Sequence, residues 1–486
     1  MPARGIALAH LIAMGVTAVR VLANLIVAVL VLSLAAGCRS VDRAQFAPQV
    51  EQAVRSTPEW LGRSARARRL RTIARQFYES RRYLPAWIDG VEATPALDDL
   101  LLALREATSH GLDPERYGVA ALAAERARAN AAWFGTAFDA ARVAAIDVRL
   151  TYAFLAHAAD LLGWPAPGGR VQREWSVAPE EVDLGVQLRV ALETGAVRET
   201  LTRLAPSHPQ YEGLRAALAR YLQAGDPEAV KRLQTNLERW RWLPRDLGAR
   251  YLLVNVPMYE MQMVERGVVV ASMRVIVGAP ETPTPLFSDR MTYVVFSPYW
   301  NIPESILREE TLPRLVNDPG YLARNKMEVV GTSGEVIDPA SVDWSDAEAA
   351  RGLRFRQAPG PENALGLVKF IFPNHFSVYL HDTPGDSLFQ RTSRALSHGC
   401  IRVEKPVALA EYVLRDRRWT RERIQAAMHS RREQIVRLQE SIPVHIGYWT
   451  VWVQPDGAAS FVDDPYALDD RGQTGVRVRM RSDSTP

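Results

Sequence analysis

The hydrophobic period of this chain changes once, near Pro244, and that change limits what the chain can fold into. Upstream, apolar residues recur at helical spacing, as at Leu97, Leu100, Leu101 and Leu104, and again at Val143, Ile146, Leu150 and Phe154. Downstream, Tyr251 to Val256, Met258 to Val264 and Val268 to Val277 read as strands, the last two joined by a tight turn at Glu265-Arg266-Gly267. The expectation is an α+β protein, with a helical domain over residues 70–239 and a mainly β domain over 240–455. A length of 486 residues, more than one core usually organises, suits this division.

Within the β domain a further strand is expected at Thr292 to Phe296, and strand character resumes at Lys369 to Phe372 and Phe376 to His381. Residues 303–361 between them are irregular, with short helical pieces and many Pro, Asp and Gly, and read as an insertion of the kind that forms lids or binding loops. Pro406 to Leu414 and Arg421 to Gln439 read as helices, and Val444 to Val453 as a late strand. Residues 456–486 read as a C-terminal tail, frayed from Arg471 onward. The sequence shows neither a repeat of solenoid length nor a phosphate-cradling glycine loop.

At the N-terminus, Arg4 and Arg20 precede the apolar run Val21 to Ala36, which ends in the small residues Ala35-Ala36-Gly37 before Cys38. That is the layout of an export signal over residues 1–37. The run is shorter than the roughly 20 residues that span a bilayer, and a retained signal anchor is the alternative. Leu34-Ala35-Ala36-Gly37-Cys38 resembles a lipoprotein cleavage box, with Ala35 where such boxes prefer Leu, so Cys38 is a lipidation candidate. Residues 38–69, polar and basic, read as a tether. These features point to the periplasm or cell envelope, with attachment to the inner or outer membrane through the N-terminus. The 59 basic and 55 acidic residues give a net charge of only +4, spread along the chain, and no basic stripe interleaves with aromatics. Nucleic acid is therefore not expected as a partner.

Only two cysteines occur, Cys38 and Cys400. If Cys38 is removed or acylated, Cys400 is a lone thiol in an oxidising compartment, either a buried inert hydrophobe or a group kept for its chemistry. Its neighbourhood, Ser397-His398-Gly399-Cys400-Ile401-Arg402, is poor packing material. Strand alternation puts Ser377, Tyr379 and His381 on one face and Cys400 and Arg402 on one face of a second strand. Two such strands side by side would set the His381 imidazole against the Cys400 sulfur across 19 positions of sequence. A thiol of ordinary pKa, about 8.5, needs that base to attack a carbonyl at neutral pH. Arg391, Arg394, His398 and Arg402 add positive potential, favouring the thiolate and offering a dock for a substrate carboxylate. The main-chain N–H groups at Gly399 and Cys400 are candidate oxyanion donors. Zinc held by His381, Asp382 or Asp386, His398 and Cys400 is the competing chemistry, but no standard ligand spacing is present. No cofactor or metal is expected.

At these residues the sequence resembles the L,D-transpeptidase family with the YkuD-type catalytic domain: a strand His (His381), then Ser397-His398-Gly399-Cys400, then Arg402. More of the chain is similar to the large periplasmic branch typified by YcbB, through Asn236-Leu237-Glu238-Arg239-Trp240-Arg241-Trp242-Leu243-Pro244, Val254-Asn255-Val256-Pro257, Pro298-Tyr299-Trp300-Asn301-Ile302-Pro303 and Asn363-Ala364-Leu365-Gly366. The resemblance covers about Leu70 to Asp470. It implies a helical scaffold domain, a β catalytic domain, and a capping subdomain over 303–361. It also implies Cys400 as nucleophile on peptidoglycan stem peptides, forming a thioester as D-alanine leaves, and His381 as base and acid, oriented by the main-chain carbonyl of Asp382. Arg402, Ser397, His398, Tyr379, Trp300 and Asn301 become candidate substrate-binding residues, and carbapenem β-lactams candidate ligands. The small peptidoglycan-binding module usual in that branch is expected to be missing or vestigial, since Tyr211 to Leu222 runs through Gly225-Asp226-Pro227 almost directly into Leu233-Gln234. Two other readings stay open: an L,D-carboxypeptidase or hydrolase using the same pair, and a non-catalytic envelope scaffold.

Overall fold

Short polar residues set the helix starts: Ser64, Asp139, Asp183 and Asp226 each accept a main-chain N–H of the first turn, satisfying donors that a helix leaves unpaired. The computed structural model describes residues 43–56, 61–89, 92–132, 139–164, 175–176, 182–318, 320–344 and 352–469. Its first half is helical, organised around Ala140–Leu161, in which every residue from Leu150 to Leu161 is buried. Ala65–Ser80, Pro95–Arg105 and Leu184–Thr194 pack around it. Two buried carboxylates pin this bundle. Asp147 accepts from Tyr78 Oη at 2.6 Å and from the Trp87 N–H at 2.7 Å. Asp160 pairs with Arg66 at 2.6 Å and accepts from Tyr117 Oη at 2.7 Å. Such partners offset the cost of burying charge.

The tether expected over 38–69 is corrected by this packing. Ala47–Arg55 is a helix lying on Ala140–Leu161, with Phe46, Val50 and Val54 buried. Three apolar residues spaced by four make a narrow stripe that polar composition conceals. The apolar run Val21 to Ala36, Cys38 and the segment from Arg471 to Pro486 lie outside the described residues. Among the described residues, no helix is long and apolar enough to cross a membrane. Pro209–Ala224 and Pro227–Arg241 form a helical hairpin through Gly225 and Asp226.

The second half is built on one sheet: β1 (Arg250–Asn255), β2 (Glu260–Glu265), β3 (Val268–Gly278), β4 (Leu286–Phe296), β5 (Val368–Ile371), β6 (Leu380–His381), β7 (Ala395–Ser397), β8 (Ile401–Val403) and β9 (Gln434–Gly447). The order β5-β6-β8-β3-β2-β1-β9-β4 closes on itself, because β4 also pairs with β5. β7 pairs with β3, and the short strand Trp175–Ser176 with β4. Pro406–Leu414 and Arg421–Met428 are helices.

Three expectations are corrected here. The helix expected over Arg421 to Gln439 stops at Met428, and Gln434 onward is the long strand β9, paired with β4 from Phe296 to Phe287. Its outer half is half-buried or exposed on both faces, so its sequence lacks strand alternation and pairing decides its state. The insertion is more ordered than its sequence suggests. Trp300–Asn301, Met327–Val330, Val336–Ile337 and Arg354–Gln357 form a separate four-stranded sheet over its own core of Ile302, Leu307, Leu315, Leu322, Val329 and Phe355. Residues 456–469 are not a tail: Val451–Val453 pairs with Ala459–Phe461, and Tyr466 Oη donates to Gly278 O at 2.7 Å.

The segment Asn236 to Trp242 is the seam between the halves. Buried Asn236 donates to Thr450 Oγ1 at 3.0 Å and accepts from the Val451 N–H at 3.2 Å. Arg239 pairs with Asp469 at 2.6 Å. Trp240 stacks between His208 and Trp449, with ring centroids 4.3 and 4.5 Å away. Trp240→Ala therefore removes a core side chain shared by both halves and should cost about 3–5 kcal/mol, read as a lower urea midpoint. Burial also holds His157, His208 and His445 down to about 4 from an ordinary 6.5. Unfolded imidazoles take up protons below 6.5 while these folded ones stay neutral until near 4. Stability should be level above that upper value and fall as pH drops through the window, measured as Tm against pH.

Candidate active site

β6 and β8 run parallel, pairing Leu380 with Ile401 and His381 with Arg402. Tyr379 thus stands beside Cys400, and the Ile401 N–H donates to Tyr379 O at 3.1 Å. Tyr379 and His381 share a face with Cys400 and Arg402, and His381 is the diagonal neighbour of Cys400, with about 8 Å between Cα atoms by strand geometry. The first strand is shorter than expected. Only Leu380 and His381 are strand; Ser377 has φ +57°, in a turn that Asn374 ties together by donating to Phe372 O and Val378 O.

Cys400 is half-buried. Its sulfur lies 4.0 Å from Ser377 O, and the Tyr379 side chain hydrogen-bonds it. Among the described residues no hydrogen bond joins His381 to Cys400; the expected direct contact is replaced by Tyr379. Burial pushes the thiol up to about 11, against the pull of Tyr379 and Arg402. His381 is buried, its Nδ1 2.6 Å from Asp382 O. Burial, with Arg402 adding to it, holds the imidazole down to about 3. At neutral pH the resting site therefore holds a neutral thiol and a neutral imidazole, the latter meeting the main chain of both Asp382 and Leu365. Burial also raises the Tyr379 hydroxyl, and a thiolate beside it would raise it further.

The positive potential is narrower than the sequence suggests. Arg394 donates to Val275 O, Tyr259 O and Arg391 O, and Arg391 is exposed. His398 pairs with Glu310 of the insertion at 2.6 Å. Of these four, Arg402 is the cation that acts on Cys400. Its Nε is buried without a hydrogen-bond partner among the described residues, and burial lowers its pKa. A guanidinium so placed is a docking point for a carboxylate.

The loop before Cys400 corrects two further expectations. The Gly399 N–H is not a free oxyanion donor; it donates to Ser397 Oγ at 3.1 Å. Ser397, buried, in turn donates to Cys400 O at 2.5 Å, so it buttresses the loop rather than facing a substrate. Gly399 itself needs its φ of +113°, which puts the Cys400 N–H at the turn as the remaining main-chain donor. Thr284 Oγ1 donates to Gly399 O at 2.8 Å, a contact that sequence reasoning missed; its position between Pro283 and Pro285 was the available signal. Glu310 was also missed, and nothing in its local sequence marks it.

The remaining motif residues hold the frame. Asn363 Nδ2 donates to Pro298 O at 3.1 Å and Ala358 O at 3.0 Å, joining the insertion to the sheet. Gly366, at φ +60°, leaves no room for a Cβ, which would lie 2.4 Å from Asp382 Cγ; that carboxylate accepts the Leu367 N–H at 2.8 Å. Trp300 packs on the core of the insertion and Asn301 is exposed beside it, paired with Arg356. Among the described residues no three His, Cys, Asp or Glu side chains converge as metal ligands.

Alkylation of Cys400 in a Cys38→Ser background should thus accelerate about tenfold per pH unit past the ordinary thiol range, without a plateau before pH 10. Arg402→Gln should slow it at every pH by removing a cation that favours the thiolate.

Comparison with known proteins gives two family models in this order: a Scaffold domain over residues 72–218 and the YkuD L,D-transpeptidase catalytic domain over 249–436. A Haemophilus influenzae protein named "Putative L,D-transpeptidase" is 28% identical over 397 residues, covering 81% of this chain and 77% of its own. Solved structures of an L,D-transpeptidase from Mycobacterium smegmatis and of the LD transpeptidase LdtMt1 in complex with imipenem are 13% and 14% identical. Each match covers 41% of this chain and 58% of the other, with a TM-score of 0.20. Together the family models and the Haemophilus relative assign the architecture: the chain carries a Scaffold domain followed by a YkuD-type L,D-transpeptidase catalytic domain.

Proposed function

We propose that this protein cross-links peptidoglycan stem peptides through a thioester on Cys400. One observation carries the reading: a half-buried thiol lies between Tyr379 and a desolvated guanidinium whose Nε has no hydrogen-bond partner among the described residues, on the face that a neutral, oriented imidazole shares. In the first half-reaction His381 takes the thiol proton, relayed by Tyr379 or directly once a substrate tightens the site. The thiolate adds to the carbonyl of the third stem residue, and the Cys400 N–H faces the developing oxyanion. The C–N bond to the terminal D-alanine then breaks, and His381 returns the proton to the leaving amine. In the second half-reaction the side-chain amine of a neighbouring stem attacks the thioester, gives its proton to His381, and frees the thiol. Atoms and charge balance without cofactor or oxidant.

The carboxylates of stem peptides suit Arg402, whose desolvated guanidinium has no ion pair among the described residues. The same acyl-enzyme chemistry makes carbapenems candidate inhibitors, in keeping with the imipenem complex of LdtMt1. The substrate and the N-terminal apolar run place this activity, in our reading, in the periplasm or cell envelope, attached through a signal anchor or a lipidated Cys38.

Purified protein incubated with disaccharide tetrapeptides should yield cross-linked dimers by mass spectrometry. Cys400→Ala should abolish them, and His381→Gln should lower kcat by about 10²–10⁴-fold. Tripeptides without dimers would replace this reading by the hydrolytic one, and unchanged substrate would leave a binding scaffold.

A further inference from the structure

β3 begins where soluble proteins avoid apolar surface. Val268 to Ser272 are all exposed, and Val268, Val269 and Val270 are 63%, 49% and 51% accessible. β7 and β8 pair only with Val275 to Gly278, so among the described residues the outer edge of this valine run has no strand beside it. Bare edges of this kind are normally blunted with Lys or Pro. The hairpin turn is strained as well: Arg266 and Gly267 have φ +48° and +79°, a turn that favours Asn-Gly over a side chain as large as Arg.

Directly beside this tip is a cavity of about 280 Å³ lined by Arg250, Arg266, Arg290 and Arg415, with Glu265 and Glu440. Glu265 is taken by Arg250 and Arg415 at 3.5 and 3.0 Å. Arg290 spends two donors on Ser441, and Arg266 is exposed at the rim. Four guanidiniums against two carboxylates leave an excess of positive charge at the foot of a protruding apolar hairpin. Apolar tip and cationic ring together match the chemistry of an anionic bilayer surface, where hydrocarbon enters between headgroups and guanidiniums hold phosphates.

We propose that this end of the sheet docks on a bilayer of anionic phospholipid, with Val268 and Val270 among the headgroups and the arginine cavity on a lipid phosphate. The docking does not depend on the reading of Cys400, but it has a geometric consequence for it. β3 carries the chain about 33 Å from Val268 to Gly278. At that far end the Gly278 N–H donates to Thr284 Oγ1, which in turn donates to Gly399 O. The nucleophile loop would thus sit on the side of the domain away from the bilayer.

Hydrogen exchange of the full chain tests this apart from any attachment through the N-terminus. Amides of residues 262–272 should exchange roughly tenfold more slowly with phosphatidylglycerol vesicles than with phosphatidylcholine vesicles, and high salt should remove the difference. Arg266→Gln with Arg290→Gln, or Val268→Ser with Val270→Ser, should abolish the protection while Cys400 alkylation stays unchanged, which controls for folding. Equal protection by both vesicles, or by neither, overturns the proposal. Protection by wall fragments instead, or protection that grows with protein concentration without vesicles, also overturns it, in favour of a wall polymer or a second copy of the chain.

Discussion

The parallel pairing of Leu380–His381 with Ile401–Val403 is the contact on which the site depends. Parallel neighbours cannot be joined by a tight turn, so the intervening chain must loop over the sheet end and come back. That loop delivers Gly399 and Cys400 to the start of β8 beside Tyr379. A slip of one residue in this register would turn Cys400 to the other face. Much of the surrounding hydrogen bonding resists such a slip: Ser397 on Gly399 and Cys400, Thr284 on Gly399, and Tyr466 on Gly278.

Electrostatically the site rests in its uncharged form. Burial raises the thiol and lowers the imidazole, so separating charge between them at rest is unfavourable. Arg402 is the exception, a cation held in a desolvated place with no ion pair among the described residues. A carboxylate bound there would supply a counter-ion, linking its binding to the electrostatics of the Cys400 thiol. The insertion reaches the loop before Cys400 through the contact of Glu310 with His398, while Asn363 ties its end to Pro298.

The two halves are joined by a seam as dense as a core. Trp240, Trp449, Trp452 and His208 cluster there, and Asn236, Thr450, Arg239 and Asp469 form a hydrogen-bonded set beneath them. Residues past β9 that look like a tail complete this seam, and the helix Ala47–Arg55 that looks like a tether completes the bundle. Both were illegible for one reason: each buries only a few apolar side chains among many polar ones, and only the surface they meet shows what those few are for.

What the sequence determined by itself was class and local pattern: the change from helical to strand periodicity near Pro244, the hairpin of β2 and β3, the helix Pro406–Leu414, and the placing of His381, Cys400 and Arg402 on one face of adjoining strands. These are local signals, readable from neighbours within one turn or one strand. Tertiary structure alone decided that Gln434 to Gln439 is strand, because a partner supplies its hydrogen bonds. It decided that Ser397 and the Gly399 N–H serve the loop, and that Tyr379 rather than His381 touches the sulfur. It also decided that Arg394 and His398 make their contacts elsewhere. Sequence determines which donors and charges exist; which of them are left unpaired to act on a substrate depends on contacts made across the fold.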